Sequence, residues 1–462
     1  MKTSDLITRE LTLINRMFQQ SKVLAKVTVK QTVVVEVGYI SYGLTLAMSE
    51  KFQRVEALQR ELSALVTSNR QRAGHAATSV IPVSSPRLAL EVAHPAPKPL
   101  LWSPRKVTNG QPHTMAIGRS YLDRPREESV SFDSTPHILI AGITGAGKSV
   151  LLQTMLLSLC AATSPQDLRL VLVDLKNEDL VPFEKLPHTL TFAGTKAAAV
   201  EAIRFVVDEK NKRIEQRGYK PFRLVLVVDE MAQLAGDGEV RDMLGDLASI
   251  GRSKWINMIG ATQSVTEKGG LGALLKANFS VRLVGQVAPG MSYVATGRPQ
   301  THADLLPGMG AFLRCQGANV TRFQSYFIDT NDVNLMAKYI SRDVWGSYSA
   351  PLAPVQRKDT PTLVYAPPAL PSAPVHAPPL HHLAPVQDLR SAPLFPLTEK
   401  RPLIGVETVA AQQLVADGMS KNALCIHIFG SKSTRYMGWL DEALASALAQ
   451  DDGKVIRLRR AS

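Results

Sequence analysis

The sequence predicts an α/β protein whose central domain is a parallel sheet covered by helices, with a small α/β domain before it and a Pro-rich linker and small all-α domain after it. Three observations carry this. Apolar runs of strand length alternate with helical patterns between residues 115 and 345, as the crossovers between parallel strands require. Within that span, Gly142-Ile143-Thr144-Gly145-Ala146-Gly147-Lys148-Ser149 follows the apolar stretch 137–141 and precedes a Gly- and Pro-free apolar stretch, 150–161. A phosphate-binding loop thus stands in its strand–loop–helix context. Lastly, twelve of the chain's 29 prolines fall between residues 351 and 396, a composition that holds no core and extends at ~3.1 Å per residue where it is polyproline-like.

Taken in order, Leu6, Leu11, Ile14 and Phe18 recur at helical spacing and predict an N-terminal helix within residues 1–24. A small basic α/β domain is expected over 25–114. There residues 27–48 alternate as paired strands, Phe52, Val55, Leu58, Leu62 and Leu65 mark one helical face, and residues 87–92 form a further strand. The motor-sized domain, 115–345, has its core strands at 137–141, 168–173, 223–228, 258–261 and 280–284. After the linker, 346–398, three short helices separated by Gly418 and Gly430 read as a helix-turn-helix-like domain over 399–450, with a basic tail at 451–462. In that domain Lys432 and Arg435 start the last helix, where a DNA groove would be met, although its near-neutral charge equally fits a module that docks a recruiting protein.

Charge and cysteine content narrow the class. The chain of 462 residues carries a formal charge of +13, and residues 1–118 hold 15 Lys and Arg against 7 Asp and Glu, which implies a polyanionic partner. Three scattered cysteines, Cys160, Cys315 and Cys425, exclude a disulfide framework or a cysteine-based metal site and fit a reducing compartment. Near the N-terminus the longest uncharged apolar stretch, 37–49, has 13 residues, short of the ~20 that span a bilayer. Neither signal peptide nor membrane anchor is expected, and the location that follows is cytoplasmic.

The central chemistry is that of phosphoryl transfer. The backbone N–H groups of Gly142 through Val150 would converge on the phosphates of ATP, assisted by the helix N-terminus; Lys148 would reach the β- and γ-phosphates and Ser149 would ligate Mg²⁺. The strand 224–228 runs into Asp229-Glu230, 81 positions after Lys148, a spacing compatible with a RecA-like core. Asp229 is assigned to the metal and Glu230 to the catalytic base. Thr262 and Gln263 end the next strand, where a polar side chain meets the γ-phosphate or the attacking water. Arg252 and Arg282 are the candidates for a cation that acts on a neighbouring subunit's transition state. Contacts to a DNA backbone are expected from the Gly-rich stretch 264–276, with Lys268 and Lys276, and from Lys254.

Several of these stretches together resemble the motor of the FtsK/SpoIIIE family of double-stranded DNA translocases. They are residues 137–149, Val173-Asp174-Leu175-Lys176, Val227-Val228-Asp229-Glu230, Ala261-Thr262-Gln263, Lys276-Ala277-Asn278 with Arg282, and Leu306-Pro307-Gly308-Met309-Gly310. The resemblance extends back to residues 85–92 and covers about residues 25 to 340. It implies a homo-hexameric ring with ATP between subunits and duplex DNA in the channel, and it places Arg252 where an arginine acts in trans. One departure is Ser292-Tyr293-Val294, which stands where the family has Ser-Arg-Thr.

The function expected from all this is ATP-driven translocation of double-stranded DNA, as a plasmid, phage or other mobile element would use. A ring ATPase that pumps single-stranded DNA or nucleoprotein is the alternative. A DNA-binding regulator switched by nucleotide fits less well, since a switch has no use for the base Glu230.

Overall fold

The computed structural model describes residues 3–84, 87–103, 111–121, 124–216, 219–264, 278–345 and 455–457. The expected linker, the three C-terminal helices with Lys432 and Arg435, and the loop carrying Lys268 and Lys276 lie outside the described residues.

The N-terminal part is a sheet backed by helices. Helix α1 (Thr3–Gln20) buries Leu6, Ile7, Leu11, Ile14 and Phe18, the stripe its spacing foretells. Strands β1 (Ala25–Val35) and β2 (Tyr39–Leu46) pair as a hairpin. Where one helix is expected over 52–65 there are two, α2 (Phe52–Ala57) and α3 (Gln59–Arg72), broken at Leu58. Strands β3 (Val80–Val83) and β4 (Ala89–Ala93) complete the layer beside β2. Along β1, Val34 belongs to the apolar cluster of α1 and α3, while Val33 and Val35 belong to the cluster of the central domain, because successive strand residues face opposite sides. The two parts therefore share β1, and the Arg322 guanidinium clamps them, pairing with Glu91 and stacking 4.2 Å from the Tyr39 ring centroid.

The central sheet has ten strands. Strands β5 (Thr114–Ser120) and β6 (Arg126–Ser131) come first, then β7 (His137–Ala141), helix α4 (Lys148–Ala162), β8 (Leu168–Val173), β9 (Thr189–Ala193), α5 (Lys196–Glu215) and β10 (Arg223–Val228). These are followed by the short α6 (Met231–Ala235), α7 (Gly238–Ile250), β11 (Ile256–Thr262), β12 (Val281–Val284), α8 (Ser292–Thr296), the hairpin β13 (Ala311–Gln316) and β14 (Asn319–Ser325), and α9 (Thr330–Tyr339). Their spatial order is β6-β5-β14-β13-β12-β7-β11-β10-β8-β9, parallel from β12 to β9 and antiparallel from β12 to β6. Strands β7, β10 and β11 are buried at every residue, hence their unbroken apolar runs. Helix α4 is likewise apolar nearly all round, since it packs against β5 and β7 of the sheet and against α9. Strand β15 (Val455–Arg457) pairs with the outer edge of β1.

Topology alone now fixes where chemistry can sit. Strand β11 separates β7 from β10, and all three run the same way, so the residues that follow them emerge at one edge of the sheet. In open parallel sheets ligands bind in the crevice outside that edge.

Candidate active site

After β7 the chain turns through the loop 142–147 into α4. Gly147 sits at φ +98° and caps α4, and a Cβ there would come within 2.9 Å of the Gly310 nitrogen. Only glycine fits both demands. The loop is held from three sides by backbone hydrogen bonds: Gly142 N–H donates to Thr262 O (3.2 Å), Ile143 N–H to Gln286 O (2.7 Å), and the N–H groups of Met309 and Gly310 donate to Gly145 O and Ala146 O (3.1 and 3.0 Å). The turn 308–310, with φ of +76°, +50° and +85° in succession, is thus part of the loop's mount.

Lys148 is buried, with its Nζ 3.4 Å from Ile143 O. Burial lowers its pKa, opposed by the nearby carboxylates of Glu230, Asp229 and Asp179. The Ser149 hydroxyl donates to Asp179 Oδ2, and Gln153 Nε2 donates to Asp179 O at 3.0 Å. Asp229 is 4% exposed, and its Oδ2 has no hydrogen-bond partner among the described residues. Burial first, then Asp179 and Glu230, push its pKa up to about 6. A buried carboxylate oxygen without a partner among the described residues, near Glu230 and near the Asp179 that holds the Ser149 hydroxyl, suits a divalent cation. No cluster of three or more His, Cys, Asp or Glu with metal-binding placement occurs among the described residues. That combination fits Mg²⁺, which takes one or two protein oxygens and completes its shell with phosphate and water.

Glu230 occupies the left-handed region at φ +53°, which costs a non-glycine residue ~1–2 kcal/mol and aims its carboxylate back across the edge. Its Oε1 accepts from Lys176 Nζ at 3.0 Å and its Oε2 from Gln263 N–H at 3.3 Å. The Thr144 hydroxyl donates to the Gln263 side-chain oxygen at 3.1 Å, so the phosphate loop and the end of β11 touch. Lysine 148, Ser149, Asp229, Glu230 and Gln263 are all brought together, as the sequence foretells.

Other assignments land elsewhere. Arg282 is buried at the start of β12, and its Nη1 donates to Ala295 O at 3.4 Å, so it is an internal prop rather than a reaching cation. Arg252 is exposed in the turn Gly251–Lys254, which precedes β11 and so lies at the opposite edge of the sheet. Seven strand residues at ~3.3 Å each put it about 20 Å from the end of β11. Lys254 shares that far edge, and its carbonyl accepts from Arg213. Tyr293 is 58% exposed on α8, whose Ser292 hydroxyl donates to Asp304 at 2.6 Å.

Of two further residues of the site, Asp179 escapes sequence reasoning, and Lys176 enters it only within the stretch Val173-Asp174-Leu175-Lys176, with no role assigned. Asp179 and Lys176 arrive on the loop after β8, which Asp174 shapes by accepting from the N–H groups of Lys176, Asn177, Glu178 and Leu180 at 3.0–3.1 Å. The signal available was positional: polar residues just after a buried parallel strand fall at the ligand edge.

Comparison with known proteins finds similar sequences and folds. The FtsK/SpoIIIE family model matches residues 97–218, the segment holding the phosphate loop and the Asp174 loop. The DNA translocase SftA of Bacillus subtilis (strain 168) is 28% identical over 266 residues, 52% of this chain and 28% of that protein. The DNA translocase FtsK of Borreliella burgdorferi is 30% identical over 245 residues, 46% of this chain and 31% of that protein. The chain thus spans less than a third of the length of either relative. Among solved structures, the pCW3 conjugation coupling protein TcpA in its monomer form with ATPgS aligns with a TM-score of 0.47 and 20% identity, over 71% of this chain and 99% of that one.

Proposed function

We propose that this chain, whose residues 97–218 match the FtsK/SpoIIIE family model, is an ATP-driven translocase of double-stranded DNA, working as a ring of six subunits. The observation that carries the reading is the meeting, at one sheet edge, of the phosphate loop, the unpartnered Asp229 oxygen and the doubly held Glu230 carboxylate. The loop N–H groups and Lys148 bind the triphosphate of ATP. Ser149 and Asp229 would hold Mg²⁺, which would supply charge neutralisation for the triphosphate. Glu230 accepts the proton of the attacking water, and Gln263 ties that event to the stretch following β11.

Arg252 cannot reach its own subunit's nucleotide from the far edge, and its exposure suits a cation delivered to the next subunit in a ring. Lys268 and Lys276, on the stretch following β11, are assigned to the DNA backbone, where contacts independent of sequence serve a moving motor. A C-terminal module that binds DNA or a recruiting protein, and a cytoplasmic location, complete the proposal. No helix among the described residues is long and apolar enough to cross a membrane.

The test is steady-state ATP hydrolysis by the full chain without nucleic acid, with linear duplex, and with single strands of equal length. Stimulation that grows with duplex length is the expected result. Preference for single strands would replace the reading with a pump of single-stranded DNA or nucleoprotein, and indifference to DNA would replace it with a nucleotide switch.

A further inference from the structure

We infer that Lys176 is a positioning residue for the base: its ammonium fixes the Glu230 carboxylate and remains its counter-ion once nucleotide has engaged Lys148. The inference rests on the reading of Glu230 as base and adds a residue to it.

Four acids, Asp174, Asp179, Asp229 and Glu230, crowd this edge, and Lys148 and Lys176 are the lysines that face them. Lys148 belongs to the phosphate loop and its charge is spent on phosphate when nucleotide binds. Lys176 is on a different loop and lies within hydrogen-bonding distance of Glu230 Oε1, at 3.0 Å. The remaining donor to Glu230, the Gln263 N–H at 3.3 Å, is a long bond to the other oxygen. Without the ammonium the carboxylate keeps, among the described residues, one weak tether through Gln263 N–H and loses the cation nearest to its Oε1, so its aim degrades.

The pair is also independent of local folding. Asp174 holds the loop through four backbone N–H groups, and Asn177 Nδ2 donates to Gly194 O at 3.0 Å; none of these involves the Lys176 side chain. The ammonium is 36% exposed and its partner 7%, which sets the pair at the mouth of the site, where a water approaching the γ-phosphate would pass.

The experiment is duplex-stimulated ATP hydrolysis and equilibrium ATP binding by the full chain for Lys176→Met, Lys176→Gln, Lys176→Arg, Glu230→Gln and the double variant Lys176→Met/Glu230→Gln. Lys176→Met and Lys176→Gln are expected to lower kcat about tenfold or more, a part of the ~10²–10⁴ that a general base contributes, with KM and ATP affinity within about twofold of the parent. Lys176→Arg is expected to restore most of the rate. The double variant should be no slower than Glu230→Gln alone, since a residue that acts through Glu230 has nothing left to act on. Parental kcat in Lys176→Met and Lys176→Gln, a parallel loss of ATP affinity, or a double variant slower than Glu230→Gln would each overturn the inference. Failure of the underlying reading looks different: there Glu230→Gln itself hydrolyses ATP at the parental rate.

Discussion

Asp229 shows how a side chain suited to holding a cation burdens the fold. Its pKa, raised from 3.8 to about 6, means the folded state holds a proton between those values that the unfolded chain has released. Its favourable contribution is therefore complete below pH 3.8 and disappears as pH rises through 6, leaving a buried charge that costs stability at neutral pH. Asp229→Asn should abolish ATP hydrolysis yet raise the nucleotide-free unfolding midpoint at pH 8, by the equivalent of about 1–3 kcal/mol, with the gain shrinking toward pH 5. Thermal melts of both proteins at pH 5, 6, 7 and 8 check it; a variant less stable than its parent at pH 8 contradicts the account. Lys148, Ser149, Asp229 and Glu230 were readable because each sits beside its own strand in a local pattern. Asp179 was not, because its meeting with Ser149 depends on β8 and β7 running in the same direction, which no local spacing reveals.

Elements are held together by polar as well as apolar contacts. Between α1, α3 and β2 lies a buried network: Arg70 Nε donates to Glu10 Oε1 at 2.7 Å, Arg70 Nη1 donates to Ala93 O, and the Tyr42 hydroxyl donates to Glu10. Arg70 is 1% exposed and Glu10 is fully buried, so removing either alone strands the other's charge in apolar surroundings. Arg70→Met should cost about 3–5 kcal/mol, while Glu10→Leu combined with Arg70→Met should recover much of that. Denaturant titration of the single and double variants measures it, and a neutral single variant would show that the network is not closed. Such pairing over 60 positions is invisible to pattern reading, as are β9, β13 and β14, whose half-buried and, in β14, exposed residues break the apolar runs. By contrast β7, β8 and β10 match the expected spans residue for residue, since strands nearly enclosed on both faces tolerate little but Val, Ile and Leu. The break between α2 and α3 has no counterpart in the sequence pattern.

For the molecule as a whole, the proposed action of Arg252 on a neighbouring subunit's site would make activity a property of neighbours. Mixing Arg252→Ala subunits one-to-one with parental subunits should depress ATP hydrolysis well below half, because each altered subunit disables the site beside it, while ATP binding stays intact. Activity that falls only in proportion to the altered fraction would place the residue outside the chemistry.

The sheet order also sets a timetable for the chain as it leaves the ribosome. Strand β5 precedes the phosphate loop but pairs with β14, Arg119 against Gln324, some two hundred positions later. At ~5–20 residues per second, the β5–β6 hairpin waits about 10–40 s for its partner, with one backbone edge open. Closure of the central sheet is the last act of the domain's synthesis, and until then β5, rather than the nucleotide site, is where nascent chains are most open to pairing with one another.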